Sequence, residues 1–300
     1  MKASEIDKFL HQLSVESPWF PIHPLFWTTQ HLELLHCNFQ QVDRDVETLH
    51  SGINHHGNDL TRDAETLATT VLPTMKSISA QHLLCPQGSP LKRINGVPPF
   101  IYANRQVHLP ECDVYLVNNK NRQTPLIVGF YHYNNVTKAR KRTLSAPGHP
   151  GQGYNGPGTR ICLRKLRQVT PPLWSEDPYL ICVLLSLAQL QWRASLSRQP
   201  ISILVRLLVT NMMDTTHAHV YEADFPSNVL QSLMTPTIYM GNITWPTIKH
   251  IEVPFKPYLS FSQRIIKCLV DDEYKPSTDA AIATATISRT DKQECNDADQ

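Results

Sequence analysis

The chain has 300 residues, with 28 Lys and Arg against 26 Asp and Glu, and its net charge of +2 singles out no class of partner. With 41% hydrophobic residues, 23 prolines and 11 glycines, the composition is that of a globular chain and excludes collagen-like and low-complexity architectures. The seven cysteines (Cys37, Cys85, Cys112, Cys162, Cys182, Cys268 and Cys295) form no CxxC pair, which argues against a disulfide framework and for thiols in a reducing compartment, cytoplasm or nucleus.

In chain order, residues 1–57 are expected to be an N-terminal extension to the core. Met1–Lys8 is too polar to open a signal peptide. Ile6, Phe9, Leu10 and Leu13 recur at helical spacing. Ser17-Pro-Trp-Phe-Pro-Ile-His-Pro-Leu-Phe-Trp27 reads as a strap packed on the core, with a protein partner docking on residues 17–27 as the alternative. The core is expected over residues 58–270. Its first helix, capped by Asn58 or Thr61, runs to about Ile78 with Leu60, Ala64, Leu67, Ala68 and Val71 on one face. A short strand is expected at Phe100–Ala103. Glu111–Asn119 and Thr124–Asn134, separated by a polar turn, predict a hairpin. Residues 145–159 read as a Gly/Pro loop.

Ser175-Glu-Asp-Pro178 is a helix start, with Ser175 as the cap, acids in the first turn and an early proline, and the helix to about Ser195 is apolar almost all round, hence buried. Its longest apolar run, Tyr179–Ala188, is about half of what a bilayer requires, so no membrane span is expected. Strands are expected at 201–209, 218–225 and 248–255, and a closing helix at 260–270. Residues 271–300 lose hydrophobic periodicity and read as a disordered tail.

Gly151-Gln-Gly153-Tyr-Asn-Gly156 matches the dinucleotide-binding fingerprint in letters only. That mechanism needs a preceding strand and a following helix, and Pro150, Pro157 and Ile161-Cys-Leu-Arg-Lys-Leu166 are read as neither. Gly153 to Gly158 has P-loop spacing, but Thr159-Arg160 stands where Lys-Ser/Thr is required. His217 and His219 lie near Glu222 and Asp224, but alternation along a strand turns the two pairs to opposite faces. His55-His56 has no matched ligand pair, so no metal site is expected.

The main anomaly is electrostatic. No aspartate or glutamate occurs from Val114 to Ser175, while the same stretch carries Lys120, Arg122, Lys138, Arg140, Lys141, Arg142, Arg160, Arg164, Lys165 and Arg167. Such a block attracts phosphates, and Lys138–Arg142 is similar to a nuclear-import signal. The alternative is a solvated surface whose charges pair with acids such as Asp43, Asp45 and Glu47.

The order helix, three strands, apolar helix, strand over roughly residues 58–225 resembles the αβββαβ core of the PD-(D/E)XK (restriction-endonuclease-like) superfamily. The resemblance implies that Asp113 stands for the aspartate of the second core strand and Glu65 for the glutamate of the first helix. The third strand, Leu126-Ile-Val-Gly-Phe-Tyr-His132, departs from the pattern, with Gly129 and Tyr131 at the positions of the carboxylate and lysine. Glu111 is the local substitute. Around Pro171–Tyr179 the chain is also similar to filamentous-fungal proteins of no assigned activity.

The expectation is an α/β fold with a mixed sheet that binds DNA, RNA or another polyanion through residues 120–167 and does not cleave it. One alternative is an interaction or accessory protein. The other is an active nuclease using Asp113, Glu111 and Glu65 with Mg²⁺; otherwise no cofactor is expected.

Overall fold

The computed structural model describes residues 15–16, 22–43, 57–117, 126–148, 151, 153–195, 200–238 and 243–270. Its elements are α1 (Thr29–Leu35), β1 (Phe39–Gln41), α2 (Gly57–Thr69), α3 (Pro73–Leu84), β2 (Leu91–Ile94), β3 (Phe100–Tyr102), β4 (Arg105–His108), β5 (Cys112–Val117) and β6 (Leu126–His132). They continue with α4 (Asn134–Thr143), α5 (Gly156–Val169), α6 (Pro178–Ala194), β7 (Ser202–Asn211), β8 (Asp214–Pro226), α7 (Ser227–Met234), β9 (Ile248–Pro254) and α8 (Tyr258–Leu269).

Seven strands form one mixed sheet in the order β1-β9-β8-β7-β6-β5-β2. β1/β9 and β6/β7 are parallel pairs and the rest antiparallel. The parallel step from β6 to β7 is made through α6, as a parallel pair requires a crossover. β6 is buried at every position, because helices cover both faces of the sheet. α6 lies on one face, where Val114, Ile127, Val205, Leu207, Val209 and Tyr221 join its core. α2, α3 and α8 pack together on the other, and Ser262 Oγ of α8 donates to Leu83 O of α3 at 2.6 Å.

Helix α6 begins two residues later than a Ser175 cap would set it. Asp177, not Ser175, caps it by accepting from Tyr179 N, and Pro178 occupies the first turn, where a missing N–H costs nothing. Two buried amides on its apolar surface are satisfied by strand backbone. Gln189 exchanges hydrogen bonds of 2.8 and 2.9 Å with Ile101, and Gln191 accepts from Ile127 N at 2.9 Å. The first contact docks the separate β3/β4 ribbon onto α6.

Gly129 of β6 sits directly under this helix. A Cβ there would lie 2.6 Å from Leu187 Cδ1, 2.8 Å from Leu207 Cδ1 and 2.9 Å from Cys112 Sγ. Gly129→Ala is therefore expected to destabilise the fold by about 1–3 kcal/mol through overpacking, read as a lower urea midpoint. An unchanged midpoint would show that α6 can shift outward freely.

Several sequence expectations are corrected. The single helix over 58–78 is two helices, because Pro73 lacks an N–H and its predecessor Leu72 is extended. The strand beside β5 opposite β6 is β2, not 100–103; among the described residues the latter pairs with β4 alone. The segment 145–159 is not all loop, and Ile161–Leu166 is helical after all: α5 starts at Gly156, capped by Asn155 Oδ1 on Gly158 N at 2.9 Å, and runs through them to Val169. Of the strap, Pro24 and Leu25 are buried and Trp27 meets Phe100 edge-on at 5.6 Å, so residues 22–27 pack on the core; residues 17–21 lie outside the described residues. So do the hairpin turn, the 44–56 segment and the tail at 271–300. Cys182 is a buried thiol, as its apolar run suggests; Cys37, Cys112 and Cys268 are buried as well, while Cys85 and Cys162 are half-buried. Among the described residues no helix is long and apolar enough to cross a membrane.

Candidate functional site

The acid-free stretch folds largely into α4 and α5. On α4, Lys138, Lys141 and Arg142 are exposed. Arg140 is turned about 200° from Lys138 at 100° per residue, and that rotation carries it inward. Its side chain is 2% exposed and its guanidinium grips Asp177, Nη1 to Oδ2 at 2.5 Å and Nη2 to Oδ1 at 2.9 Å. Arg140 is thus removed from the expected phosphate-binding set by a buried partner of its own.

On α5, Arg160, Arg164 and Arg167 follow one another at four- and three-residue spacing, which places them in a line along one side of the helix. All three are exposed, as is Lys165. Among the described residues none of these seven cations on α4 and α5 has an ion-pair partner. Asp43 is described and does not meet them; Asp45, Glu47, Lys120 and Arg122 lie outside the described residues. Leu144 at the end of α4 and Lys165, Gln168 and Val169 of α5 line one groove, so the two helices converge there.

The carboxylates of the nuclease resemblance do not converge. Asp113 lies at the start of β5, where Ser77 Oγ of α3 donates to its Oδ2 and Arg93 Nη2 of β2 donates to Oδ1 at 2.5 Å. Arg93 also bonds Gln81 Oε1 at 2.6 Å. Asp113 therefore ties β5 to β2 and α3. Glu111 is exposed ahead of the strand and Glu65 is exposed on α2. Neither joins a set of three ligand atoms with Asp113 among the described residues.

Strand register adds a further correction. Asp113 opposes Phe130, while Gly129 opposes Val114 and Tyr131 opposes Cys112. Opposed residues share a face, so Gly129 and Tyr131 lie on the α6 face and Asp113 on the α3 face. The β6 residues that share the face of Asp113 are Val128, Phe130 and His132. His132 is buried, with Nδ1 3.1 Å from Thr210 O, and burial with the nearby Lys76 ammonium pushes its pKa down to about 4. Lys76 is itself fully buried and donates to Leu67 O, and burial lowers its pKa to about 8.

The histidine reading is half right. Glu222 does face away from His219, into an ion pair with Arg206 on the α8 side, Arg206 Nε to Oε2 at 2.8 Å, and with Lys249 at 2.9 Å. His219, however, meets β9. It opposes Glu252, and Tyr221 opposes His250, so all four share the α6 face. His219 Nδ1 is 2.8 Å from His250 Nε2, and His219 Nε2 is 2.8 Å from Asp214 Oδ2. Trp174 presses edge-on against His219 at 4.5 Å, and Tyr221 stacks on His250 at 4.7 Å. Burial lowers the pKa of both histidines, His250 to about 4 with help from His219. Burial alone would raise the Asp214 carboxyl, but hydrogen bonds from Thr216, His217 and His219 hold it well below the usual range.

No family model matches the chain, and neither a curated protein nor a solved structure does.

Proposed function

We propose that this protein binds nucleic acid through the outward faces of α4 and α5 without cleaving it. The observation that carries the reading is the set of seven exposed cations, Lys138, Lys141, Arg142, Arg160, Arg164, Lys165 and Arg167, unpaired among the described residues in a stretch without one acid. Cations so arranged attract phosphates by releasing the condensed counterions of the duplex. The net charge of +2 does not oppose this, because the acids lie in other segments.

The order α3, β2, β5, β6, α6, β7, with β2/β5/β6 antiparallel and β7 parallel to β6, supports kinship with the αβββαβ nuclease core. The side chains support the loss of its chemistry. Holding Mg²⁺ between phosphate and water takes convergent oxygen ligands. On the face of Asp113, β6 offers Val128, Phe130 and His132, and Asp113 itself is engaged by Ser77 and Arg93.

Incubation of end-labelled duplex and single-stranded DNA and RNA with the protein, with and without Mg²⁺ or Mn²⁺, tests both halves. The expected result is retarded, intact nucleic acid under every condition. Metal-dependent cleavage that disappears in Asp113→Ala would overturn the non-catalytic half. Failure to bind any of the probes at low salt would overturn the other.

A further inference from the structure

We propose that His219, His250 and Glu252 form a binding site for a divalent transition-metal ion of the zinc class, with Asp214 positioning His219. The three side chains project from adjacent antiparallel strands onto one face of the sheet, and one ligand atom from each lies within 4.8 Å of the other two. The site is separate from the basic helices and does not depend on their function.

Proton positions follow from the partners. An ionised carboxylate only accepts, so Asp214 Oδ2 takes the N–H of His219 Nε2. That leaves His219 Nδ1 as a lone pair aimed at His250 Nε2. Fixing the tautomer of a ligating histidine through a carboxylate on its far nitrogen is the usual outer arrangement of a histidine–zinc site. Without metal, His250 donates Nε2–H into that lone pair. With metal, His250 carries its proton on Nδ1 instead and both facing nitrogens turn their lone pairs to the ion.

The dimensions are close. Two imidazole nitrogens at about 2.0–2.1 Å from one tetrahedral ion stand roughly 3.3–3.4 Å apart. The present 2.8 Å must therefore open by about half an ångström. Trp174 and Tyr221 hold the rings in register from two sides. His219 and His250 are 3% and 5% exposed while Glu252 is exposed, so the ion would be reached from the Glu252 side. Two nitrogens and one carboxylate favour zinc, copper, nickel or ferrous iron over Mg²⁺ or Ca²⁺, which take oxygen ligands. Three protein ligands also leave a coordination position for water or a ligand atom.

The test is calorimetric titration of the full chain with Zn²⁺, with Co²⁺ as a spectroscopic probe and circular dichroism to verify that each variant is folded. The expected result is one Zn²⁺ per chain and visible d–d bands from Co²⁺. His250→Asn should abolish both. Asp214→Asn should weaken Zn²⁺ binding 10- to 100-fold, because it removes the group that orients the first ligand. Glu252→Gln, at an exposed position, should weaken binding and alter the Co²⁺ spectrum. Absence of one-to-one binding, or affinity unchanged in folded Glu252→Gln and His250→Asn, would overturn the proposal.

Discussion

Asp177→Ala should destabilise the protein by about 3–5 kcal/mol, the cost of leaving a buried charge without its counterion. Asp177 is 0% and Arg140 2% exposed, so water cannot replace what is lost. Four donors meet on this carboxylate: two from the Arg140 guanidinium, Tyr133 OH at 2.8 Å and Tyr179 N at 2.9 Å. A fifth bond, Arg140 Nε to Leu25 O at 2.7 Å, ties in the strap. The residue thus joins α4, the strap, the end of β6 and the start of α6. Burial disfavours the guanidinium charge, but Asp177 more than offsets it and raises the pKa of Arg140. Arg140→Ala should cost a similar amount by stranding Asp177. The double variant Arg140→Met with Asp177→Leu removes both charges and should lose clearly less than the sum of the single losses. Urea denaturation of all three reads the coupling. Additive losses, or a single loss below about 1 kcal/mol, would contradict this account of the junction.

Neutralising the outward cations should act in the opposite way, leaving stability nearly unchanged and removing binding. Exposed charges without ion-pair partners contribute little to folding. For phosphate binding, a slope of about −0.9 per contact means that each contact is worth close to tenfold at 0.1 M salt. Lys138, Lys141 and Arg142 changed together to Gln should therefore weaken duplex binding by about two to three orders of magnitude at that salt. The set Arg160, Arg164, Lys165 and Arg167 should do at least as much. Arg140 is excluded from both sets, since its loss would unfold the junction described above.

The difference between these two predictions is also the difference between what the sequence reveals and what it hides. The seven exposed basic residues from Lys138 to Arg167 stand out in the sequence by charge alone, but neither α4 nor α5 is expected there as a helix. Asn155 and Pro157 carry a cap and an early-proline signal, obscured by the surrounding glycines. Arg140 differs from its neighbours only by helical phase and by a partner 37 residues away. The β5/β6 hairpin, α6 and strands β7 to β9 were legible because apolar runs and turn residues mark them. β2 was not: Lys92 and Arg93 interrupt a four-residue strand whose pairing with β5 is set by the tertiary fold. Within the candidate nuclease face, Asp113 was placed on the right strand, but register alone shows that Gly129 and Tyr131 look the other way. His250 and Glu252 are not legible as partners of His219, because alternation shows that they share a face and nothing local shows that His219 lies beside them.

The most direct test of the proposed function is a titration of duplex DNA affinity against salt, from about 50 to 200 mM, for the wild type and the variant lacking all seven outward cations. If most of the seven meet phosphates, the wild type should give a log–log slope of about −5 to −6 and the variant a slope near zero, with the same urea midpoint. A wild-type affinity indifferent to salt, or a slope preserved in the variant, would contradict it.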